Sequence, residues 1–137
     1  MKKPPKPEKD FRAWIKKAEG DLKTAEHTLT LKQNCPFDTV CFHAQQCAEK
    51  YLKAFLVYRS IDFPKTHDIR LLMQRVPADV RLGVSIEEVI PLNRYTIEAR
   101  YPGDWEPFDR EEAEKAVSIA LKVREAVRAN LPIARKK

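Results

Sequence analysis

Residues 41–53 read Cys-Phe-His-Ala-Gln-Gln-Cys-Ala-Glu-Lys-Tyr-Leu-Lys. Cys41, Ala44, Ala48, Tyr51 and Leu52 recur at three- and four-residue spacing, which at ~100° per residue makes one apolar stripe on a helix. Followed in both directions, the pattern predicts a helix from Pro36 to Arg59 that buries Phe37, Val40, Cys41, Ala44, Ala48, Tyr51, Leu52 and Phe55. Pro36 suits its first turn. Lys50, Gln46 and His43 are predicted on the far side, with Lys53 nearer the flank. Gln45 falls inside the apolar arc and Glu49 on its border. A glutamine there must find hydrogen bonds or it costs stability. Ala44 and Ala48 give a neighbouring helix a smooth strip for close approach.

The same periodicity predicts helices on either side. Phe11, Trp14, Ile15, Ala18, Leu22, Ala25 and Leu29 share a face of a helix over 11–31, with Gly20 and His27 opposite and Asp21 at the edge, placed to meet a cation from another helix. Thr66 is the predicted N-cap of a short helix reaching Arg75. Ser85 and Glu88 form a capping box that opens a helix over 85–101, with Pro91 as a kink and Pro102-Gly103 as its stop. Asp109 with Glu112 caps a last helix to Leu131, lined by Ala113, Ala116, Val117, Ala120, Val123, Val127 and Leu131, with Arg124 in mid-stripe. Strand-like alternation is missing. The expected fold is all-α: an up-down bundle of four long helices and one short one, spanning 11–131. A disordered basic, proline-rich tail is expected at 1–10 and a basic tail at 132–137.

The chain holds 137 residues, enough for one domain with its own core, and carries a formal charge of +6. Most of the excess sits in the two tails, so the body is near neutral and ill suited to a dedicated duplex binder. Cys35, Cys41 and Cys47 have no metal-ligand spacing and are expected to be reduced thiols. Apolar runs fall short of the ~18 residues of a membrane span. A cytoplasmic protein without membrane contact is expected.

Gln45, Asn93, Arg100 and Arg124 are polar residues on faces that should be dry, with Asp21 and Glu49 at the borders. One reading is that they satisfy each other or a second subunit. Another is a polar cleft in which Arg100, with Lys50 or Arg94, receives an anion such as a nucleotide phosphate. His27, His43 and His67 lie on separate elements and make no zinc pattern. His67 opens the short helix beside Asp68 and Arg70, where a general base and a loop-packing residue are both available roles. A glycine-rich phosphate loop is absent, the chain having only 3 glycines.

Taken in order, several segments resemble the HEPN domain, the small helical domain encoded beside minimal nucleotidyltransferases in prokaryotes. They are Ala18-Glu19-Gly20-Asp21-Leu22, the run from Cys41 to Leu56, Lys65-Thr66-His67-Asp68-Ile69, Asn93-Arg94-Tyr95 and Ala99-Arg100-Tyr101-Pro102. The resemblance implies a homodimer that binds a nucleotidyltransferase partner, often in a toxin–antitoxin or related regulatory pair, with a nucleotide as a further ligand and no cofactor or metal. Some HEPN domains are metal-independent ribonucleases. Their motif starts at an arginine and ends, after a polar residue and a short spacer, at a histidine. Here no histidine follows His67, so neither Arg94 nor Arg100 can open that motif. The resemblance thus implies a non-catalytic binding protein. Its alternatives are an RNA-cleaving toxin using His67 and Arg100, or a purely structural assembly module. The candidate binding residues are Gln45, Glu49, Lys50, His67, Arg94, Arg100 and Tyr101.

Overall fold

In a computed structural model of the chain, residues 6–96 and 108–133 are described. Three long helices carry the fold: α1 (Phe11–Leu29), α2 (Phe37–Tyr58) and α5 (Arg110–Ala129). Two short ones, α3 (Ile69–Gln74) and α4 (Ile86–Val89), lie in the connection between α2 and α5. Every regular element among the described residues is helical, so the bundle is all-α. Pro7–Lys9 form a 3-10 turn ahead of α1, and the Trp14 indole N–H donates to the Glu8 carbonyl at 3.0 Å.

Helix α2 is central. It packs against α1, α3 and α5, and 13 of its 22 residues are buried, which exceeds what one stripe can supply. Cys47, Lys53, Ala54 and Leu56 join the expected face. Helix α1 is amphipathic and buries Ala18, Leu22 and Ala25, with Gly20 on the outside. Helix α5 buries its expected stripe, with Leu131 just beyond its end. Arg110 joins the two outer helices. Its guanidinium donates to the Leu29 and Leu31 carbonyls at 3.0 and 2.8 Å and so closes the carboxyl end of α1.

The local signals hold with shifts. Asp109 accepts from the Glu112 amide, and the Ser85–Glu88 capping box forms. Thr66 does not cap α3. Asp68 does, accepting from the Arg70 amide, while the Thr66 hydroxyl accepts from the Asp68 amide one step earlier. The long helix expected over 85–101 is not continuous. Proline brings no N–H and crowds the preceding turn, so the α-helix stops at Val89 and the chain tightens into a 3-10 helix over Ile90–Tyr95. Three residues per turn align Val89, Leu92 and Tyr95 on the core side, and all three are buried. Arg100, Tyr101 and Trp105 lie outside the described residues.

A polar clasp ties the three long helices. Glu19 of α1 accepts from Arg124 of α5 at 2.8 and 3.1 Å and from the Tyr51 hydroxyl of α2 at 2.5 Å. Arg128 donates to the same hydroxyl at 3.3 Å. Burial alone would push the Glu19 carboxyl up, but the hydrogen bonds from Arg124 and Tyr51 and the charges of Arg124 and Arg128 outweigh it. Its pKa is held below the ordinary value. Burial and the same carboxylate push the Tyr51 phenol up, so the donor stays protonated.

Two glycine choices are unfavourable and open to repair. Gly20 sits inside α1 with open space where a Cβ would go. Ser60 holds a left-handed φ of 56° at the end of α2, where the Ile61 amide reaches back to the Leu56 carbonyl and the Ser60 amide to Val57. Gly20→Ala and Ser60→Gly should each raise the unfolding free energy by about 0.5–1 kcal/mol in denaturant titration. Glu19→Gln should lower stability at neutral pH by about 1 kcal/mol. Since the folded pKa is depressed, that deficit is full above the ordinary value of 4.5 and shrinks as pH falls through the lower folded value. Urea titrations of both proteins across pH 3–7 check the trend.

Candidate functional site

Gln45 and Glu49 occupy successive turns of α2 and both face inward, at 0 and 2% exposure. A carboxylate in that position is costly unless charge and hydrogen bonds surround it. Three side chains do so. Gln45 Nε2 donates to Glu49 Oε1 at 3.0 Å, Lys53 Nζ to Oε2 at 2.9 Å, and His67 Nδ1 lies 3.0 and 3.2 Å from the two oxygens. Gln45 is itself fixed at both ends. Its Nε2 also meets the His67 carbonyl at 3.3 Å, and its Oε1 accepts from Gln46 Nε2 at 2.7 Å.

The loop before α3 delivers His67 to this carboxylate, and the segment after α4 fixes the loop. Asn93 Oδ1 accepts from the Ile69 amide at 2.8 Å, and Asn93 Nδ2 donates to Asp68 Oδ1 at 2.9 Å. Asn93, expected on a dry face, is thus a capping group for α3. With the acceptor a carboxylate, His67 Nδ1 is the donor in this contact. The ring is 45% exposed. This is the orientation a general base requires, with the base held by a third group.

Among the described residues, the expected candidates fall into three groups. Gln45, Glu49 and His67 meet. Lys50 turns to α1, where its Nζ pairs with Asp21 at 2.5 Å beside His43 Nδ1 at 2.8 Å. His43 and Lys50, expected on a far side, therefore face α1, and Asp21 meets its cations as its edge position implied. Arg94 pairs with Glu112 at 3.0 Å, where the Tyr95 hydroxyl also donates. Burial first, then Cys41 and Glu112, pushes the Tyr95 phenol up. Arg124 meets Glu19. Arg100 and Tyr101 fall outside the described residues. Among the described residues no group of three His, Cys, Asp or Glu side chains could hold a metal ion, and no helix is long and apolar enough to cross a membrane.

Lys53 was the overlooked member. Placed by periodicity near a flank, it is 7% exposed and supplies the positive charge that Glu49 needs. The Glu49–Lys53 spacing of four residues is the signal that marks the pair. Glu19 lacked such a signal, except that Arg124 in an apolar stripe demanded an acid from elsewhere. Glu49→Ala should cost about 3–5 kcal/mol of stability, since it strands a buried ammonium. Glu49→Ala with Lys53→Met should recover much of that loss, as denaturant titrations of the single and double variants would reveal.

Comparison with known proteins agrees with this architecture. The HEPN domain family model matches residues 11–130. A curated protein of Methanocaldococcus jannaschii, named "Putative toxin MJ1304", is 32% identical over 133 residues, covering 85% of each chain. The crystal structure of TT1696 from Thermus thermophilus superposes with a TM-score of 0.74 at 32% identity, over 88% of this chain and 98% of that one. The structure of ST0689, described as an archaeal HEPN homologue, gives 0.70 at 26% identity, over 88% and 97%. With the match running from the start of α1 to the end of α5, this chain belongs to the HEPN domain family.

Proposed function

We propose that this protein is the HEPN member of a toxin–antitoxin-type regulatory pair, acting by binding and not by catalysis. It works as a homodimer in the cytoplasm, and its partner is a small nucleotidyltransferase, with a nucleotide as a further ligand. The observation that carries the non-catalytic part is the histidine inventory. The chain has three, and none follows His67, so the arginine–histidine pair of the ribonuclease members cannot be assembled in its usual place. The geometry supports the same reading. Lys50, Arg94 and Arg124 each already hold a carboxylate of this chain, which leaves them poorly placed to clamp a scissile phosphate.

The toxin–antitoxin setting draws support from the name of the M. jannaschii relative. Dimer formation draws support from apolar surface left on the long helices. Tyr58 and, just past the end of α1, Leu31 are exposed, and Phe11 and Phe42 are only partly covered. One observation favours a second reading, an RNA-cleaving toxin: His67 is oriented by Glu49 as a base would be.

Light scattering at micromolar concentration should give twice the mass of one chain. Co-expression with the small nucleotidyltransferase encoded next door should yield a complex that survives gel filtration, and the pure protein should leave RNA intact. A monomer that ignores that enzyme would overturn the proposal. RNA cleavage that disappears in His67→Ala, with helicity retained, would put the second reading in its place.

A further inference from the structure

Behind the Glu49 pair lies a cavity of about 400 Å³ between the amino end of α1, the carboxyl end of α2 and the loop 60–65. That volume is within the ~300–1,000 Å³ typical of small-molecule sites. Lys53 lines it. Its ammonium is 5.4 Å from the centre of the Trp14 ring, and Trp14 meets Phe63 edge-to-face with ring centres 6.5 Å apart. Val57 and Ile61 add apolar wall.

An ammonium has three N–H donors. Among the described residues Lys53 gives only one to the protein, the bond to Glu49. Buried donors are nearly always satisfied, so two N–H groups here call for an oxygen acceptor from outside the fold. The acceptor's remaining atoms would meet two aromatic rings. Charge limits it to a single negative charge: Lys9, Lys53 and Lys65 line the cavity against Glu8 and Asp62, and Glu49 behind Lys53 brings the balance to zero. Glu49, 2.9 Å behind the ammonium, opposes any further negative charge.

We propose that this cavity binds a small aromatic carboxylate, with its carboxylate on the Lys53 ammonium and its ring against Trp14 and Phe63. Ligand entry would draw the Lys53 ammonium between two carboxylates, so occupancy would also be felt at Glu49 and His67.

The chain has two tryptophans. In the full chain carrying Trp105→Phe, Trp14 alone reports on the cavity. Benzoate should give a saturable fluorescence change with a Kd of about 1 mM or tighter. Lys53→Met combined with Glu49→Gln, which removes both charges of the pair together, should weaken binding about tenfold or more. Phe63→Leu, at the cavity rim, should weaken it about threefold or more and decides the matter alone if the double variant does not fold. Acetate, inorganic phosphate and adenosine monophosphate serve as comparison probes. No saturation by 10 mM benzoate, roughly the weak end of specific binding, would overturn the proposal. So would unchanged affinity in a folded variant, or any comparison probe binding as tightly as benzoate.

Discussion

A helix wrapped by protein around most of its circumference cannot point its polar side chains at water, and α2 is such a helix. Its length carries Gln45, Glu49, Lys50, Tyr51 and Lys53, and each must be matched by a group from a neighbour or from the next turn. Helix α1 supplies Asp21 to Lys50 and Glu19 to Tyr51. Helix α5 supplies Arg124 to Glu19, so the phenol and the guanidinium share one carboxylate. The loop before α3 supplies His67 to Glu49. These partners are spaced along α2, and together they fix α1, α5 and the loop before α3. The polar pairs therefore select the register in which the apolar faces meet, which apolar contact alone specifies loosely.

The bundle was legible because its long helices obey one rule. The stripe on α5 from Ala113 to Leu131 is buried as its spacing implies, and so is the central set of α1. Periodicity failed where the period changes. Leu92 lies off an α-helical face through Ile86 and Val89, but on a 3-10 turn it stacks between Val89 and Tyr95. Pro91 announced a disturbance without saying that a tighter helix would replace the looser one. Periodicity also assumes that a helix has a wet side, and α2 has little of one. Lys53 was thus placed too far outward, and Cys47 and Leu56 are buried although they lie outside the predicted stripe.

The site was legible in its parts and not in its grouping. Gln45 and Glu49 on a dry arc signalled a need for partners, and His67 after a proline-containing loop signalled a special role. Helical angles show which side a residue takes, not which neighbour waits there. For that reason Lys50 and Arg94, plausible beside an anion from their residue types, stand with Asp21 and Glu112. The result is a histidine–carboxylate pair built as a base could be, in a family member whose sequence lacks the usual arginine–histidine spacing. The carboxylate is more committed to the fold than to chemistry, since Lys53 and Gln45 hold it whatever His67 does.

The side chain of Asn93 closes the first turn of α3 from 24 residues away. Six residues are too few for a helix to persist on its own, so α3 borrows its start from the segment that follows α4. Release of Asn93 frees the Ile69 amide and unseats Asp68, the cap, at once. Loss of that contact would therefore loosen α3 and the loop before it as one unit. His67 rides on that unit, so its grip on Glu49 lasts only as long as the unit stays shut.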